Sequence, residues 1–271
     1  MVTVIALANQ KGGVGKTTTS TALAAGLTNR GFEVLAIDCD PQGNFSSTAA
    51  VEENENAKTL YDLFKMDTEL LQEEPIIVEE AIQHFTQFDI IPADIMLAGV
   101  DQELSSQIGK EKRLKEILYP IADQYDYIII DTPPSFGTLT INAMTAADQI
   151  IIPTHAGIYA TKGMVQLDTT INSVRKYCNN NLIVAGILIT RYNPRTNISK
   201  DMKELIEMIG KELRIPIFET YIRSSVSVEE AQAQKKDVFS HDSDSTVSRD
   251  YDTFIDEYLS KFNSSQKKRG E

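Results

Sequence analysis

A glycine-rich stretch close to the N-terminus carries the residue types best suited to chemistry. Residues 10–18 of this 271-residue sequence read Gln-Lys-Gly-Gly-Val-Gly-Lys-Thr-Thr. Glycines have no Cβ, so backbone N–H groups can close around phosphate oxygens. Lys16 would reach the outer phosphates, and the Thr17 hydroxyl would bind Mg²⁺. We expect the contacts to the nucleotide phosphates to come from Lys11, Gly12, Gly13, Val14, Gly15, Lys16, Thr17 and Thr18.

The stretch departs from the general phosphate-loop pattern GxxxxGK[ST] at its start. Gln10 occupies the position of the first glycine, and Lys11 is an additional lysine inside the loop. The alternative interpretation is a glycine-rich turn that binds nothing. Two adjacent glycines, a third before lysine, and then two threonines favour the phosphate loop, because the motif lies between an apolar run and a helical pattern.

Three aspartates follow apolar runs elsewhere in the chain. Asp38 and Asp40 end one run, and Asp131 ends another. The carboxyl ends of parallel strands meet at the edge of the sheet where ligands bind. We therefore expect Asp38 and Asp131 to support Mg²⁺ and Asp40 to orient the water that attacks ATP. A solvated loop or a helix cap is the alternative for the Asp38–Asp40 pair.

Apolar runs alternate with helical patterns along nearly the whole sequence. This alternation predicts an α/β fold, a mostly parallel doubly wound sheet with helices on both faces. Strands are predicted at residues 2–8, 32–38, 88–91, 126–131, 149–153, 182–190 and 215–221. Helices are predicted at residues 17–29, 59–64, 95–107, 111–125, 138–147, 158–177, 199–213, 226–235 and 250–262, with a polar acidic loop at 239–249. We expect a single domain over residues 1–262 and a frayed tail over 263–271.

Composition and charge exclude several classes of protein. The net charge of −13 disfavours a wholly basic nucleic-acid surface but leaves room for a local basic patch. Cys39 and Cys178 fit no metal or redox spacing, which is typical of free thiols in a reducing cytoplasm. No apolar run approaches the ~20 residues of a membrane span, and residues 2–8 are too short for a secretion leader. We expect a cytoplasmic protein.

The motifs together resemble one family of ATPases. Lys-Gly-Gly-Val-Gly-Lys-Thr-Thr at residues 11–18 is similar to the deviant Walker A motif of the ParA/MinD group of P-loop NTPases. Residues 38–44 resemble that group's second motif, and residues 127–135 resemble its Walker B strand. Residues 91–99 are similar to a segment of the chromosomal ParA proteins that are also called Soj.

The resemblance implies a cytoplasmic partition ATPase with ATP and Mg²⁺ as cofactors. Lys11 corresponds to the signature lysine that reaches the ATP phosphates bound by the other protomer of a homodimer. Lys11, Lys16 and Asp40 would then be the catalytic residues. A centromere-binding ParB-type protein would stimulate hydrolysis, DNA would bind without sequence preference, and no membrane would be involved.

Basic residues near the C-terminal third are the candidates for DNA contact. Residues 195–197 match a Soj segment whose arginine helps to bind DNA, so Arg191, Arg195 and Lys200 are candidates; a plain surface loop is the alternative. Residues 223–225 resemble the family loop beside the adenine, which assigns Arg223 and Ser225 to the nucleotide and Arg223 also to DNA. Residues 242–247 lack the basic positions that relatives carry there, which weakens the predicted patch.

Three other functions remain open on the sequence alone. A MinD-like cell-division ATPase needs a basic amphipathic helix for membranes, but residues 252–262 have an acidic polar face that suits docking on the protein core. An iron–sulphur reductase component needs paired ligand cysteines. A nucleotide-dependent interaction switch would have the same motifs with little turnover. The charged run at residues 110–116 is predicted to be a solvated helix face.

Overall fold

The computed structural model describes residues 2–49, 57–85, 87–155 and 160–262. The predicted tail at 263–271 lies outside the described residues. The strands are β1 Thr3–Leu7, β2 Val34–Asp38, β3 Gln83–His84, β4 Asp89–Ile91, β5 Tyr127–Asp131, β6 Gln149–His155, β7 Ile183–Tyr192 and β8 Ile217–Arg223.

The helices alternate with these strands. They are α1 Lys16–Thr28, α2 Asn44–Thr48, α3 Leu60–Lys65, α4 Thr68–Glu73, α5 Ile76–Glu79, α6 Val100–Glu103, α7 Arg113–Leu118, α8 Thr138–Ala146, α9 Ala160–Tyr177, α10 Asn197–Leu213, α11 Val226–Ala233, α12 Val238–His241 and α13 Thr246–Phe262. Short 3₁₀ turns lie at Ile95–Gly99, Lys110–Lys112 and Ala122–Gln124.

The described strands form one sheet of eight in the order β3-β4-β2-β5-β1-β6-β7-β8. Every pairing is parallel except that of β3 with β4, so the predicted mostly parallel α/β fold is confirmed. Because the strands run the same way, the segments after β1, β2, β5, β6 and β7 all leave from one edge of the sheet. The phosphate loop and all three aspartates therefore lie at this edge, the carboxyl edge.

Helices cover both faces of the sheet. Side chains alternate along a strand, so in β1 Val4 and Ala6 pack into one apolar cluster while Ile5 and Leu7 pack into the other. The first cluster contains residues of α7, α8 and α9, and the second contains α1 and α13. All residues of β2 and β5 are buried, which explains their unbroken apolar sequence.

The segment between β4 and β5 is less helical than the sequence predicts. The helices expected at residues 95–107 and 111–125 are replaced by the short helices α6 and α7 and by 3₁₀ turns. Gly109 has a left-handed φ of 78° and separates them. The solvated helix face predicted at residues 110–116 is wrong for one residue, because Arg113 is buried and its Nε donates to the Phe64 carbonyl at 3.2 Å.

The C-terminal segment is more helical than the sequence predicts. The expected loop at residues 239–249 contains part of α12, and α13 begins at Thr246 rather than at residue 250. Asp237, just before this segment, caps α12: its Oδ1 accepts from the N–H groups of Phe239 and Ser240 at 2.8 and 3.1 Å. The apolar side of α13 packs into the core through Phe254 and Ile255, as predicted for a docked helix.

Candidate functional site

The phosphate loop between β1 and α1 is shaped as an anion cradle. Gly13 and Gly15 have φ values of 70° and 83°, which L side chains rarely adopt. A Cβ built on Gly12 or Gly13 would meet no atom within 4 Å, so their backbone faces open space. Gly15 caps α1 without a side-chain hydrogen bond, and the first turn of α1 contains no acidic residue. The unpaired N–H groups and the positive end of the helix dipole therefore remain available to an anion.

Lys16 is a buried cation at the start of α1. Burial lowers the pKa of its ammonium, and the charges of Asp131 and Asp40 oppose this shift. A lysine in this position gains from a further anionic partner, because water reaches its charge poorly. The role of Lys16 on the outer phosphates stays a prediction.

Asp38 and Asp131 are neighbours across the β2–β5 pair and are both fully buried. The Thr17 Oγ1 donates to the Asp131 Oδ2 at 2.7 Å, and the Ser20 hydroxyl donates to the Oδ1 at 2.9 Å. The structure therefore brings together the threonine and the aspartate that the sequence assigns to Mg²⁺. Ser20 was missed by sequence reasoning; its position one helical turn after Lys16 is the signal that could have identified it.

Ser46 is a second residue that sequence reasoning missed. Its N–H and hydroxyl both donate to the Asp38 Oδ2, at 2.8 and 2.7 Å. The same hydroxyl accepts the N–H of Ala93 at 3.0 Å and so ties Asp38 to the segment after β4. Asp38 is held rigidly by these bonds, behind the loop that carries Asp40.

The two buried carboxylates have unbalanced negative charge. Burial raises the pKa of Asp38 to about 6. Burial, followed by the charge of Asp38, raises the pKa of Asp131 to about 7, although hydrogen bonds from Thr17 and Ser20 oppose the rise. A divalent cation would neutralise the charge of these buried carboxylates. Hard carboxylate and hydroxyl oxygens are the donors that Mg²⁺ prefers. The residues present therefore fit a magnesium ion beside the phosphate loop.

Asp40 lies between these carboxylates and the phosphate loop. Its N–H donates to the Asp38 Oδ1 at 3.1 Å, and its Oδ1 accepts from the N–H of Gln42 at 3.0 Å. The side chain is buried and interacts electrostatically with Lys16. The second carboxylate oxygen of Asp40 has no hydrogen bond among the described residues, which leaves it able to orient a water molecule.

Lys11 begins the loop with a fixed backbone. Its N–H donates to the Asn9 Oδ1 at 3.0 Å, and the Asn9 Nδ2 donates to the Pro153 carbonyl at 2.8 Å. Among the described residues the Lys11 ammonium forms no ion pair. Asn9 was not singled out in the sequence, since nothing local shows that it bridges to β6. Contact between the Lys11 ammonium and the phosphates of a partner protomer stays a prediction.

His155, at the end of β6, is a further neighbour of the loop. Burial lowers the pKa of its imidazole, and the charges of Arg191 and Lys11 lower it further. At neutral pH the ring is therefore uncharged beside two cations. The sequence offered no signal for this residue, because β6 is longer than the predicted strand at 149–153.

The predicted DNA-binding residues fall into two groups. Arg195 and Lys200 have exposed side chains next to the carboxyl edge, as the prediction requires. Arg191 instead lies within β7, which extends past the predicted end at residue 190, and its Nη1 donates to the Gly13 carbonyl at 3.3 Å. The structure therefore separates Arg191 from the other two residues.

Arg223 and Ser225 both have structural partners. The Arg223 guanidinium binds the Asp250 carboxylate through Nη2 at 2.6 Å and Nε at 2.9 Å, which joins β8 to α13. The Ser225 Oγ accepts from the N–H of Ser227 at 3.2 Å and caps α11. The exposed Asp242 and Asp244 occupy the surface where the sequence departs from its relatives.

Observations on the rival functions are few. Of the helices in the described ranges, none has the length and apolar character needed to cross a bilayer. Asp252 and Asp256 on the polar face of α13 bind Arg30, which follows the C-terminal end of α1, each at 2.7 Å. Cys39 is buried and Cys178 is half-buried, and both are free thiols.

The chain is similar to proteins of known family along most of its length. A family model described as an AAA domain, AAA_31, matches residues 2–184. The chain is 41% identical to the sporulation initiation inhibitor protein Soj of Bacillus subtilis, over 88% of this chain and 91% of that protein. It is 36% identical to the chromosome partitioning protein ParA of Caulobacter vibrioides, over 95% and 94% of the two chains.

One solved structure is similar to nearly the whole chain. The cobyrinic acid a,c-diamide synthase of Mycobacterium smegmatis, with bound ADP and magnesium, superposes with a TM-score of 0.81 at 30% identity. The match covers 98% of this chain and 97% of that one.

Proposed function

The chain belongs to the AAA_31 family of AAA domains and, within it, to the partition ATPases of the ParA/Soj type, and on this premise we propose that it is an ATP-driven DNA-segregation switch. ATP and Mg²⁺ are its cofactors, as the relative solved with ADP and magnesium and the two buried carboxylates both support. The protein would act as a cytoplasmic homodimer, with no membrane involved.

The observation that carries this proposal is the arrangement around Thr17. One hydroxyl, hydrogen-bonded to the Asp131 carboxylate at 2.7 Å, lies at the head of a helix whose N–H groups are free to bind an anion. Lys16 is buried beside the same carboxylate. A cation, a helix N-terminus and hydroxyl and carboxylate oxygens together favour the binding of a polyphosphate with its metal ion. A glycine-rich turn that binds nothing would not need this combination.

Hydrolysis requires a positioned water and neutralised phosphate charge. Lys16 and the loop N–H groups would hold the phosphate oxygens, while Thr17 and Asp131 would orient the metal and its water shell. Bound magnesium would withdraw charge from the phosphates. Asp40, held by the Gln42 N–H, would orient the attacking water with its free oxygen.

Dimerisation would complete the site. Lys11 has an ordered backbone and no ion-pair partner in the described residues, so its ammonium is available to the phosphates held by a second protomer. A cation supplied in this way acts only when the dimer forms, as an arginine finger does. ATP binding, dimerisation and hydrolysis would then be coupled.

The dimer would bind DNA through the exposed cations that follow β7. Arg195 and Lys200 of one protomer offer few phosphate contacts against a net charge of −13. A dimer carries two copies of these cations on one rigid body, so the second copy binds the same DNA at a high effective concentration. Because ATP drives dimerisation, DNA binding should need ATP. Contacts to phosphates alone would make binding sensitive to salt and blind to sequence. A ParB-type centromere-binding protein would then stimulate hydrolysis and release the DNA.

A titration of fluorescent random duplex DNA tests the proposal. Wild type should bind with Mg²⁺ and ATP at low salt and bind much more weakly with ADP. Arg195→Glu should remove DNA binding while ATP-driven dimerisation, measured by light scattering, survives. Lys211→Glu is the matched control, because it reverses an exposed charge near the C-terminal end of α10, whereas Arg195 precedes the N-terminal end of that helix.

Two results would contradict the proposal at different points. Absence of ATP-dependent binding by wild type would exclude a DNA-binding role and leave a nucleotide switch that meets its cargo through proteins. Equal loss of binding in Arg195→Glu and Lys211→Glu would show that overall charge, and not the segment after β7, controls the interaction.

A further inference from the structure

Two consecutive residues at the end of β7 donate to two consecutive carbonyls of the phosphate loop. The Thr190 Oγ1 donates to the Val14 carbonyl at 2.7 Å, and the Arg191 Nη1 donates to the Gly13 carbonyl at 3.3 Å. Thr190 is buried and also lies 3.7 Å from where a Cβ of Gly15 would be. The loop is thus held from behind, on the side opposite to its free N–H groups.

These bonds matter because a phosphate loop turns its N–H groups inward and its carbonyls outward. Outward carbonyls need donors when they are not solvated, and donors fixed on a strand also fix the orientation of the peptide units. The peptide that carries the Gly13 carbonyl also carries the Val14 N–H. Holding that carbonyl therefore orients a donor that faces the anion.

The backbone of Arg191 supports a specific role for this side chain. Its φ of 51° is in the left-handed region, which a residue with a long side chain seldom adopts. Such conformations persist where the surroundings determine them strongly. Here the guanidinium of an exposed side chain reaches the Gly13 carbonyl at the carboxyl edge, whereas the Arg195 guanidinium, which is also exposed, has no hydrogen bond or ion pair among the described residues.

The same short segment leads directly to the cations proposed to bind DNA. Tyr192 is buried, its ring lies 4.5 Å from that of Tyr221 between centroids, and its carbonyl accepts the Ser224 N–H at 3.0 Å. The Asn193 Oδ1 then accepts the Arg195 N–H at 3.0 Å. Ordered hydrogen bonds and packing thus connect Gly13 to Arg195 through a few residues.

We propose that Arg191 is a positioning residue of the nucleotide site, which links the phosphate loop to the segment carrying Arg195, and that it does not contact DNA. The link to DNA binding rests on the proposed function, whereas the positioning of the phosphate loop does not. Through the Gly13 carbonyl, Arg191 keeps the loop in its anion-binding shape. Occupation of the loop in turn orients residues 192–196.

The test compares Arg191→Met, Arg191→Lys and the matched control Arg195→Met in the full chain. Methionine keeps most of the stem and removes the donors, while lysine restores a charged donor. Binding of a fluorescent ATP analogue with Mg²⁺ is measured first. DNA affinity is then measured at saturating ATP across a series of salt concentrations.

We expect Arg191→Met to weaken ATP binding by about 5- to 10-fold, the size expected for one exposed charged hydrogen bond. Arg191→Lys should recover to within about 3-fold of wild type, which loss of general stability would not allow. At saturating ATP, Arg191→Met should leave the salt dependence of DNA binding unchanged, since the slope counts phosphate contacts. Arg195→Met should lower that slope and leave ATP affinity unchanged.

Either of two results would overturn the inference. The first is ATP binding by Arg191→Met that is as tight as that of wild type. The second is a lower salt slope for Arg191→Met, like that of Arg195→Met, which would make Arg191 a DNA contact. If wild type binds no DNA, the proposed function fails, but the ATP measurements still decide whether Arg191 positions the phosphate loop.

Discussion

Replacing Asp131 with asparagine should stabilise the nucleotide-free protein at neutral pH and remove its stabilisation by magnesium. Burial, followed by the charge of Asp38, raises the pKa of the Asp131 carboxyl from 3.8 to about 7. A carboxyl with a higher pKa in the folded than in the unfolded state binds its proton more tightly when folded. The free energy of unfolding therefore falls as the pH rises from about 4 to about 7.

The pKa difference sets the upper limit of the effect. A rise from 3.8 to about 7 is roughly 3 units, which corresponds to on the order of 4 kcal/mol at about 1.36 kcal/mol per unit. Asp38 shares this titration, and hydrogen bonds from Thr17 and Ser20 are partly lost in the variant. We expect a net gain of about 2 kcal/mol above pH 7, or roughly 4 to 8 °C in Tm.

Thermal unfolding at pH 5.0 and pH 7.5 measures this effect, with EDTA and without nucleotide. Wild type should lose more stability between the two pH values than Asp131→Asn. Asp123→Asn is the control, because Asp123 is an exposed carboxylate away from the site. In a second series, Mg²⁺ added with ADP should raise the Tm of wild type above that with ADP alone, and should leave Asp131→Asn unchanged.

The reasoning would be refuted by equal pH dependence in wild type and Asp131→Asn. That result would mean that the buried carboxylate has no excess charge to relieve. A full magnesium response in the variant would separately contradict the assignment of Asp131 to the metal, while leaving the phosphate loop unaffected.

Three further changes test other parts of the molecule. Lys16→Ala should abolish ATP binding, because the loop loses its charge on the outer phosphates; affinity within a few-fold of wild type in calorimetry would refute the phosphate-loop assignment. Asp40→Ala should keep ATP binding and trap a dimer, since only the water-orienting group is lost; a monomer with ATP in size-exclusion chromatography would contradict its role. Glu257→Ala should lower the free energy of unfolding in urea by about 1 kcal/mol. The Glu257 carboxylate accepts hydrogen bonds from the N–H groups of Glu219 and Thr220 on the edge strand β8, at 2.8 and 2.9 Å. Unchanged stability would show that water replaces these bonds.

The phosphate loop was predictable because its chemistry is contiguous in sequence. Three glycines, two lysines and two threonines within nine residues act through local backbone geometry, and in the structure Gly13 and Gly15 have left-handed φ values. The carboxylates were predictable for a related reason. Parallel strands share a carboxyl edge, so an aspartate that ends an apolar run arrives near the loop whatever the loop lengths between them.

Helix ends near the C-terminus were predicted less well. Ser245 lies in the predicted loop at 239–249 and Asp237 lies just before it, yet these residues cap α13 and α12. Polar side chains that bond to the backbone serve turns and helix caps alike. Only the packing of Val247 and Phe254 into the core decides between the two.

The sequence by itself determined the fold class and the aspartates at the carboxyl edge, because apolar runs alternate with helical patterns along the chain. It determined the phosphate loop because the residues of that loop are contiguous. Tertiary structure alone decided which partners hold them: Ser46 on Asp38 and Arg191 on Gly13 are separated from their partners by 8 and 178 residues. Arginine therefore donates to the phosphate loop at Arg191 and makes no such contact at Arg195, although both side chains are exposed. The difference between the two arginines depends on strand pairing and on the left-handed φ of Arg191. Neither can be predicted from the local spacing of residues in the sequence.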